Sequence, residues 1–187
     1  THIAARSAFQ DRFRTTLMSS DLDVSLNYVS KYYDHLGISS PNGTSYTKKA
    51  VLENNPNLTG VMDSINYVLY VPPHKDYWKN NRTVISVVRS MRDIYHQYGL
   101  LIADFDMDTL TRQLLSGFDT PEDYDITILD DADNLVYTSA SSLNRRTFLA
   151  SWRSASEISP DSGSFSYGNL SVSSYHLSDK TGWTVIL

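Results

Sequence analysis

The chain contains no cysteine in 187 residues. A disulfide scaffold and a zinc–thiolate site are therefore excluded, and a thiol-free chain suits an oxidising compartment such as a bacterial cell surface. Positive charge is also scarce. Lysine and arginine total 16 against 21 acidic residues, for a formal net charge of −5. That balance gives no electrostatic footprint for a nucleic-acid backbone and no polybasic segment for an anionic membrane surface. No stretch approaches the roughly 20 apolar residues of a membrane span, and no secretory leader is visible. The histidines (His2, His35, His74, His96 and His176) are scattered without paired spacing. Nucleophile elbow, P-loop and dinucleotide fingerprint are all missing. These absences point to a binding module rather than an enzyme, with no cofactor.

What is present is a composition that is 41% hydrophobic, enough for a real core in one domain or two small ones. The chain opens without methionine in a helix-like pattern and closes on the apolar run Trp183-Thr184-Val185-Ile186-Leu187. Both ends are expected of a segment taken from a longer protein.

Apolar residues recur at three- and four-residue steps over residues 3–36: Phe9, Phe13, Leu17, Leu22, Leu26, Val29, Tyr33 and Leu36. This spacing predicts one long helix ending at Gly37, packed along its own domain or paired with a partner helix. A short helix is expected over 46–53, closed by Asn54-Asn55-Pro56-Asn57. Strands follow at 65–71, closed by Pro72-Pro73, then at 83–91 and 99–105, the last nearly continuous in apolar residues and so central. Residues 107–115 read as a helix with Leu110, Leu114 and Leu115 inward. A new unit begins after Gly117-Phe118-Asp119-Thr120-Pro121. It has a hairpin at 126–138 with an acidic tip, a helix over 142–152, and strands at 164–167, 170–177 and 183–187, the last two joined by a turn at Asp179-Lys180-Thr181-Gly182. Short connections favour antiparallel sheets with helices beside them, an α+β fold. The expected division is 1–37, a signalling and dimerisation helix; 38–118, a membrane-distal sensing unit; and 119–187, a smaller membrane-proximal unit.

One motif imitates catalysis. An apolar strand running into Asp104, Asp106 and Asp108 resembles the nucleophile motif of magnesium-dependent haloacid-dehalogenase-like phosphatases. Spacing opposes it: the acidic pair at Asp130-Asp131 follows too soon for the intervening motifs or a parallel sheet. An EF-hand fails as well, because the position of the bidentate acid is Leu115. The simpler expectation is that Asp104 ends its strand and Asp106 or Asp108 caps the next helix. The tip at Asp130, Asp131 and Asp133 reads as a solvated turn, with weak calcium binding as the alternative. No metal ligand set is assigned.

The candidate ligand-binding residues are Tyr67, Tyr70, Trp78, Arg89, Arg92 and Asp104. The aromatic side chains offer faces and polar tips, and the arginines offer forks for a carboxylate. Arg89 shares a strand face with Ile85 and Val87. A cation beside apolar neighbours calls for a partner, which Asp104, a ligand anion or water at the strand end could supply.

The order of these stretches resembles a Cache-type sensor, specifically the double-Cache extracellular region of bacterial sensor histidine kinases. The resemblance rests on the long N-terminal helix, on Val87-Val88-Arg89-Ser90-Met91-Arg92-Asp93-Ile94-Tyr95 followed by Gly99-Leu100-Leu101-Ile102-Ala103-Asp104-Phe105, on the strand pair around the acidic turn, and on Thr181-Gly182-Trp183-Thr184-Val185-Ile186. It implies PAS-like antiparallel sheets with flanking helices, a pocket in the membrane-distal half for an unidentified small molecule, and a homodimer through the first helix. It further implies a membrane span on each side, an extracytoplasmic location and two-component signalling. The Tyr/Arg/Trp-Tyr/Asp pattern of amino-acid-binding members has no counterpart: Trp78 is preceded, not followed, by Tyr77. A receptor domain that senses a partner protein without a small-molecule pocket is the alternative, and the phosphatase is the third reading.

Overall fold

The structure is a computed structural model that describes residues 11–12, 15, 23–30, 36–39, 44–45, 58, 61, 68–77, 82–92, 96–159, 161–167 and 170–187. The chain divides into two compact units, Thr1–Leu110 and Thr111–Leu187.

The first unit is built on a six-stranded antiparallel sheet ordered β3-β2-β1-β6-β5-β4. Its strands are β1 (Val24–Ser30), β2 (Leu36–Ser39), β3 (Thr44–Ser45), β4 (Val68–Lys75), β5 (Thr83–Arg92) and β6 (Gln97–Asp106). β6 is indeed interior, paired with β5 on one side and β1 on the other. The expected helix does not extend to residue 37. Residues 24–30 form a strand instead, because both sides of that strand have something to pack on. Val24 and Leu26 pack with Ala103 and Phe105, while Ser25, Asn27 and Val29 face the other way and are buried. Asp11, Arg12 and Thr15 are helical, as are Leu58 and Val61. The helix expected over 46–53 lies outside the described residues.

β4 runs through Pro72-Pro73 rather than stopping there. Proline removes ladder donors, so it is tolerated where no neighbour needs them. β4 is the sheet edge, and its register with β5 shifts between Val71 and His74. The core of this unit gathers Val29, Leu58, Val61, Val71, Val88, Leu100 and Ile102 on one face of the sheet.

Gly99 opens the central run of β6 at φ +153°, opposite Ser30 and Met91. A Cβ there would meet the Val29 carbonyl oxygen at 2.1 Å, so only glycine lets the two backbones approach this closely. Asp106 then caps helix α1 (Met107–Leu115), its Oδ1 accepting from Thr109 N–H at 2.9 Å. α1 buries Met107, Thr111 and Leu115, one residue per turn, while Leu114 is 53% exposed and not inward as expected. The four-residue step from Met107 selects Thr111, whose hydroxyl lies 3.2 Å from the Tyr137 hydroxyl.

The second unit has a five-stranded antiparallel sheet ordered β8-β7-β11-β10-β9. It comprises β7 (Thr127–Leu129), β8 (Leu135–Thr138), β9 (Ser162–Tyr167), β10 (Leu170–Leu177) and β11 (Thr184–Ile186), with helix α2 (Arg145–Ser156) between β8 and β9. Asn144 caps α2 by accepting from Thr147 N–H. Phe148 and Trp152, four residues apart, lie on one side of that helix and pack with Leu129, Tyr175 and Ile186. Trp152 meets Tyr175 edge-on at 4.7 Å, an arrangement that ring quadrupoles favour.

Candidate functional site

Asp104 lies near the end of β6, and none of its surface is exposed. Directly across the ladder stand Ser25 on β1 and Ser86 on β5. Facing residues in neighbouring strands share a sheet face, so three polar side chains converge where the same parity further along carries Val29, Val88, Leu100 and Ile102. Asn27 Nδ2 donates to Asp104 Oδ2 at 2.8 Å. Ser25 Oγ reaches the same oxygen at 3.5 Å, and Ser86 Oγ donates to Oδ1. A carboxylate at this depth is tolerable only where such donors replace its water.

His74 on β4, with Asp76 and Arg82 in the β4–β5 connection, extends this group. The irregularity after the proline pair lets His74 Nε2 approach Ser86 Oγ at 3.3 Å, while Nδ1 lies 2.9 Å from the Pro72 carbonyl oxygen. The Tyr77 ring covers the imidazole at 4.5 Å. Burial pushes the His74 pKa below its ordinary value; the Pro72 carbonyl and the Asp76 charge act against that but do not overcome it. Arg82 Nε contacts Asp76 Oδ2 at 2.6 Å, and its Nη2 donates to Ser25 Oγ at 2.9 Å. Asp23 Oδ1 lies 4.0 Å from Nη1. Burial alone would lower the guanidinium pKa. The hydrogen bond and charge of Asp76, with Asp23 and Asp106, outweigh it and hold the Arg82 pKa above the ordinary value.

The described charged groups at this corner are thus Asp23, Asp76, Asp104, Asp106 and Arg82. The arrangement offers no phosphatase chemistry: Asp106 is occupied as a helix cap, and the sheet is antiparallel.

The residues singled out from the sequence do not assemble as one set. Tyr67 and Trp78 lie outside the described residues. Tyr70 stands opposite Val87, and Arg89 opposite Leu101 and Val68. These belong to the sheet face away from Asp104, so Arg89 is not the partner of Asp104; Arg89 is exposed. Arg92 pairs in register with Gln97 beyond a bulge and is half-buried. Sequence reasoning missed Ser25, Asn27, His74, Asp76, Ser86 and Arg82. One signal was available: Ser86 and Ser90 interrupt the buried parity Val84, Val88 of β5, and a polar residue on a buried parity marks a place where something must hydrogen-bond.

In the second unit the acidic hairpin tip is closed on itself. Asp130 Oδ1 accepts from the Ala132 and Asn134 N–H groups at 3.0 and 2.8 Å. Asp133 Oδ1 accepts from Trp152 Nε1 at 3.2 Å. Among the described residues no cluster of metal-ligating side chains occurs, and no helix is long and apolar enough to cross a membrane.

No protein-family model and no curated protein matches the sequence. Solved structures do match its fold. The ligand-binding domain of the Campylobacter jejuni chemoreceptor Tlp3, in complex with L-norvaline, superposes with a TM-score of 0.68 at 11% identity, covering 100% of this chain and 72% of that one. The extracellular domain of soHK1S-Z6, a protein assigned as a histidine kinase, gives 0.67 at 14% identity, covering 97% and 76%. Methyl-accepting chemotaxis protein X gives 0.65 at 10% identity, covering 97% and 80%. The fold is therefore the α+β, two-sheet fold of Cache- and PAS-like sensory domains.

Proposed function

We infer that this chain is the extracytoplasmic signal-sensing region of a transmembrane sensor histidine kinase acting in two-component signal transduction. The observation that supports this most directly is the likeness to sensory domains over essentially the whole chain, in both units. On this reading the fragment itself performs no catalysis. A membrane span flanks it on each side in the full-length protein, and residues 1–22, ahead of β1, carry homodimerisation and relay the signal. Ligand binding shifts a two-state equilibrium by its differential affinity for the two states.

The first unit takes a small ligand bearing an ammonium group, anchored at Asp104. The buried carboxylate and the amino-acid complexes of the Tlp3 domain (L-norvaline, isoleucine) support this assignment. Tyr70 and Arg89 stand on the other sheet face, so one small ligand cannot touch both groups. Tyr67 and Trp78 remain candidates for ring contacts with the ligand, and Arg92 for its carboxylate.

Thermal-shift screening of the isolated domain against amino acids and small amines tests the proposal. A ligand at about 100 times its dissociation constant stabilises by roughly 2.7 kcal/mol. Asp104→Asn is expected to abolish that shift with the fold retained, and Arg89→Ala to leave it unchanged. A uniformly flat screen would instead favour a receptor that senses a partner protein.

A further inference from the structure

The two sheets end in four outermost strands, and three of them are blunted against taking on another strand. β3 is only two residues long. β4 carries Pro72, Pro73 and a register shift. β8 has four residues, its register with β7 shifts, and Arg145 Nη2 donates to its Leu135 carbonyl oxygen at 3.4 Å. β9 differs. Its six residues, Ser162-Gly163-Ser164-Phe165-Ser166-Tyr167, include no proline and no charge. The pairing with β10 shifts between Val172 and Tyr175, but the extra residue belongs to β10, so β9 itself is regular.

Leu177 N–H donates to the Asp161 carbonyl oxygen at 2.8 Å. Backbone groups alternate sides along a strand. Asp161, Gly163, Phe165 and Tyr167 therefore turn theirs to β10, and Ser162, Ser164 and Ser166 turn theirs to the open side. These serines are exposed, while Gly163, Phe165 and Tyr167 are half-buried. Ser159 Oγ donates to the Ser162 carbonyl oxygen at 2.5 Å. Among the described residues nothing meets the outward groups of Ser164 and Ser166. The strand is held firmly from its inner side. Phe165 packs against Phe148, Trp152 and Tyr175. The Tyr167 hydroxyl accepts from Asn144 N–H at 2.9 Å and donates to the Asn144 carbonyl oxygen at 3.2 Å. An edge fixed in this way loses little freedom when a partner adds to it.

We propose that β9 is a self-association edge: β9 of a second copy adds to it antiparallel, about a dyad at Ser164, and joins the two five-stranded sheets into one. Ser164 then exchanges both N–H···O bonds with its own counterpart, and Ser162 does so with Ser166 of the partner subunit. This register keeps every residue on its own side of the sheet. Serine faces serine, and Gly163 faces Phe165 of the partner subunit on the side of α2. A second copy fits better than a foreign peptide because the strand matches itself in this way. It also carries no charge, and like charges directly opposite are what ordinarily prevents self-pairing. The pairing does not depend on the ligand assigned above. It is distinct from homodimerisation through residues 1–22, which would raise the effective concentration of the two edges.

The cysteine-free chain makes the test direct. Single cysteines are placed on β9 and oxidised at equal protein concentration. At Ser164 the Cα atoms of the two copies would lie about 5.5 Å apart, within the disulfide range of roughly 4.4–6.8 Å. Two Ser162 positions, or two Ser166 positions, would lie about 13 Å apart, roughly four residues' rise. Ser164→Cys is therefore expected to cross-link about tenfold faster or more than Ser162→Cys or Ser166→Cys alone, and mixing the last two should restore cross-linking. Equal rates at the three positions, or a mixture no faster than its parts, overturn the proposal. Copies that meet only through residues 1–22 would not sort the three positions in this way. Failure of the β9 pairing is thus read apart from failure of the sensor reading, whose ligand screen needs no dimer.

Discussion

Asp76 and Arg82 hold each other across the β4–β5 connection. Arg82 Nε lies 2.6 Å from Asp76 Oδ2, and the Asp76 N–H donates to the Arg82 carbonyl at 3.1 Å. The carboxylate is 1% exposed. This pair fixes the connection that follows His74 on β4, and Arg82 continues it to Ser25 on β1.

Removing one member should therefore cost more than the pair contributes net, because it takes the charged partner from a buried carboxylate. Arg82→Met is expected to lower stability by about 3 kcal/mol. Adding Asp76→Asn to it should recover part of that loss. Urea unfolding of the two single variants and the double variant measures both effects; additive losses would show that the groups do not act as a pair.

Gly99 gives a second test. Alanine would drive a methyl group into the Val29 carbonyl oxygen and the adjoining β1 backbone, at a φ that L side chains rarely adopt. Gly99→Ala should cost at least about 2–3 kcal/mol and loosen the β1–β6 ladder. Hydrogen exchange of the β1 amides reports the loosening; unchanged protection there would contradict this close approach.

The third concerns the second unit. Asp133 sits at φ 58° and accepts the Trp152 indole N–H, from a ring 2% exposed. Asp133→Asn keeps both the tolerance of that conformation and an acceptor, so it should change stability by less than about 0.5 kcal/mol. Asp133→Ala loses both and should cost about 2 kcal/mol. Thermal unfolding of the two variants separates them, and equal stabilities would show that the indole bond carries nothing.

Local features were legible from the sequence. The Asp106 cap, the hairpin around Asp130 and the turn closed by Gly182 depend on residues within a few positions of each other, so their signatures lie in one window. The first strand was not legible. Leu22, Leu26, Val29, Tyr33 and Leu36 keep helical spacing, and nothing nearby reveals that Asn27 will bond a carboxylate 77 residues away. The site failed to appear for the same reason. It draws one or two residues each from β1, β4, β5 and β6, and pairing across distant strands sets which of them meet. Arg89 shows the converse. Its parity with Ile85 and Val87 was read correctly, but parity alone does not say which face receives Asp104; the β5–β6 register does.

The proline pair of β4 has one more consequence. An outermost strand offers unsatisfied amides on which a second chain can add, the usual route to fibrous self-association. Pro72 and Pro73 delete two successive donors of the strand, of which alternation leaves one for the open edge and one for the β5 side, and the register slip beside them bends what is left. A domain with this much sheet is thus guarded against templating its own polymer on the side where β4 lies, by the same two residues whose carbonyl and bend position His74.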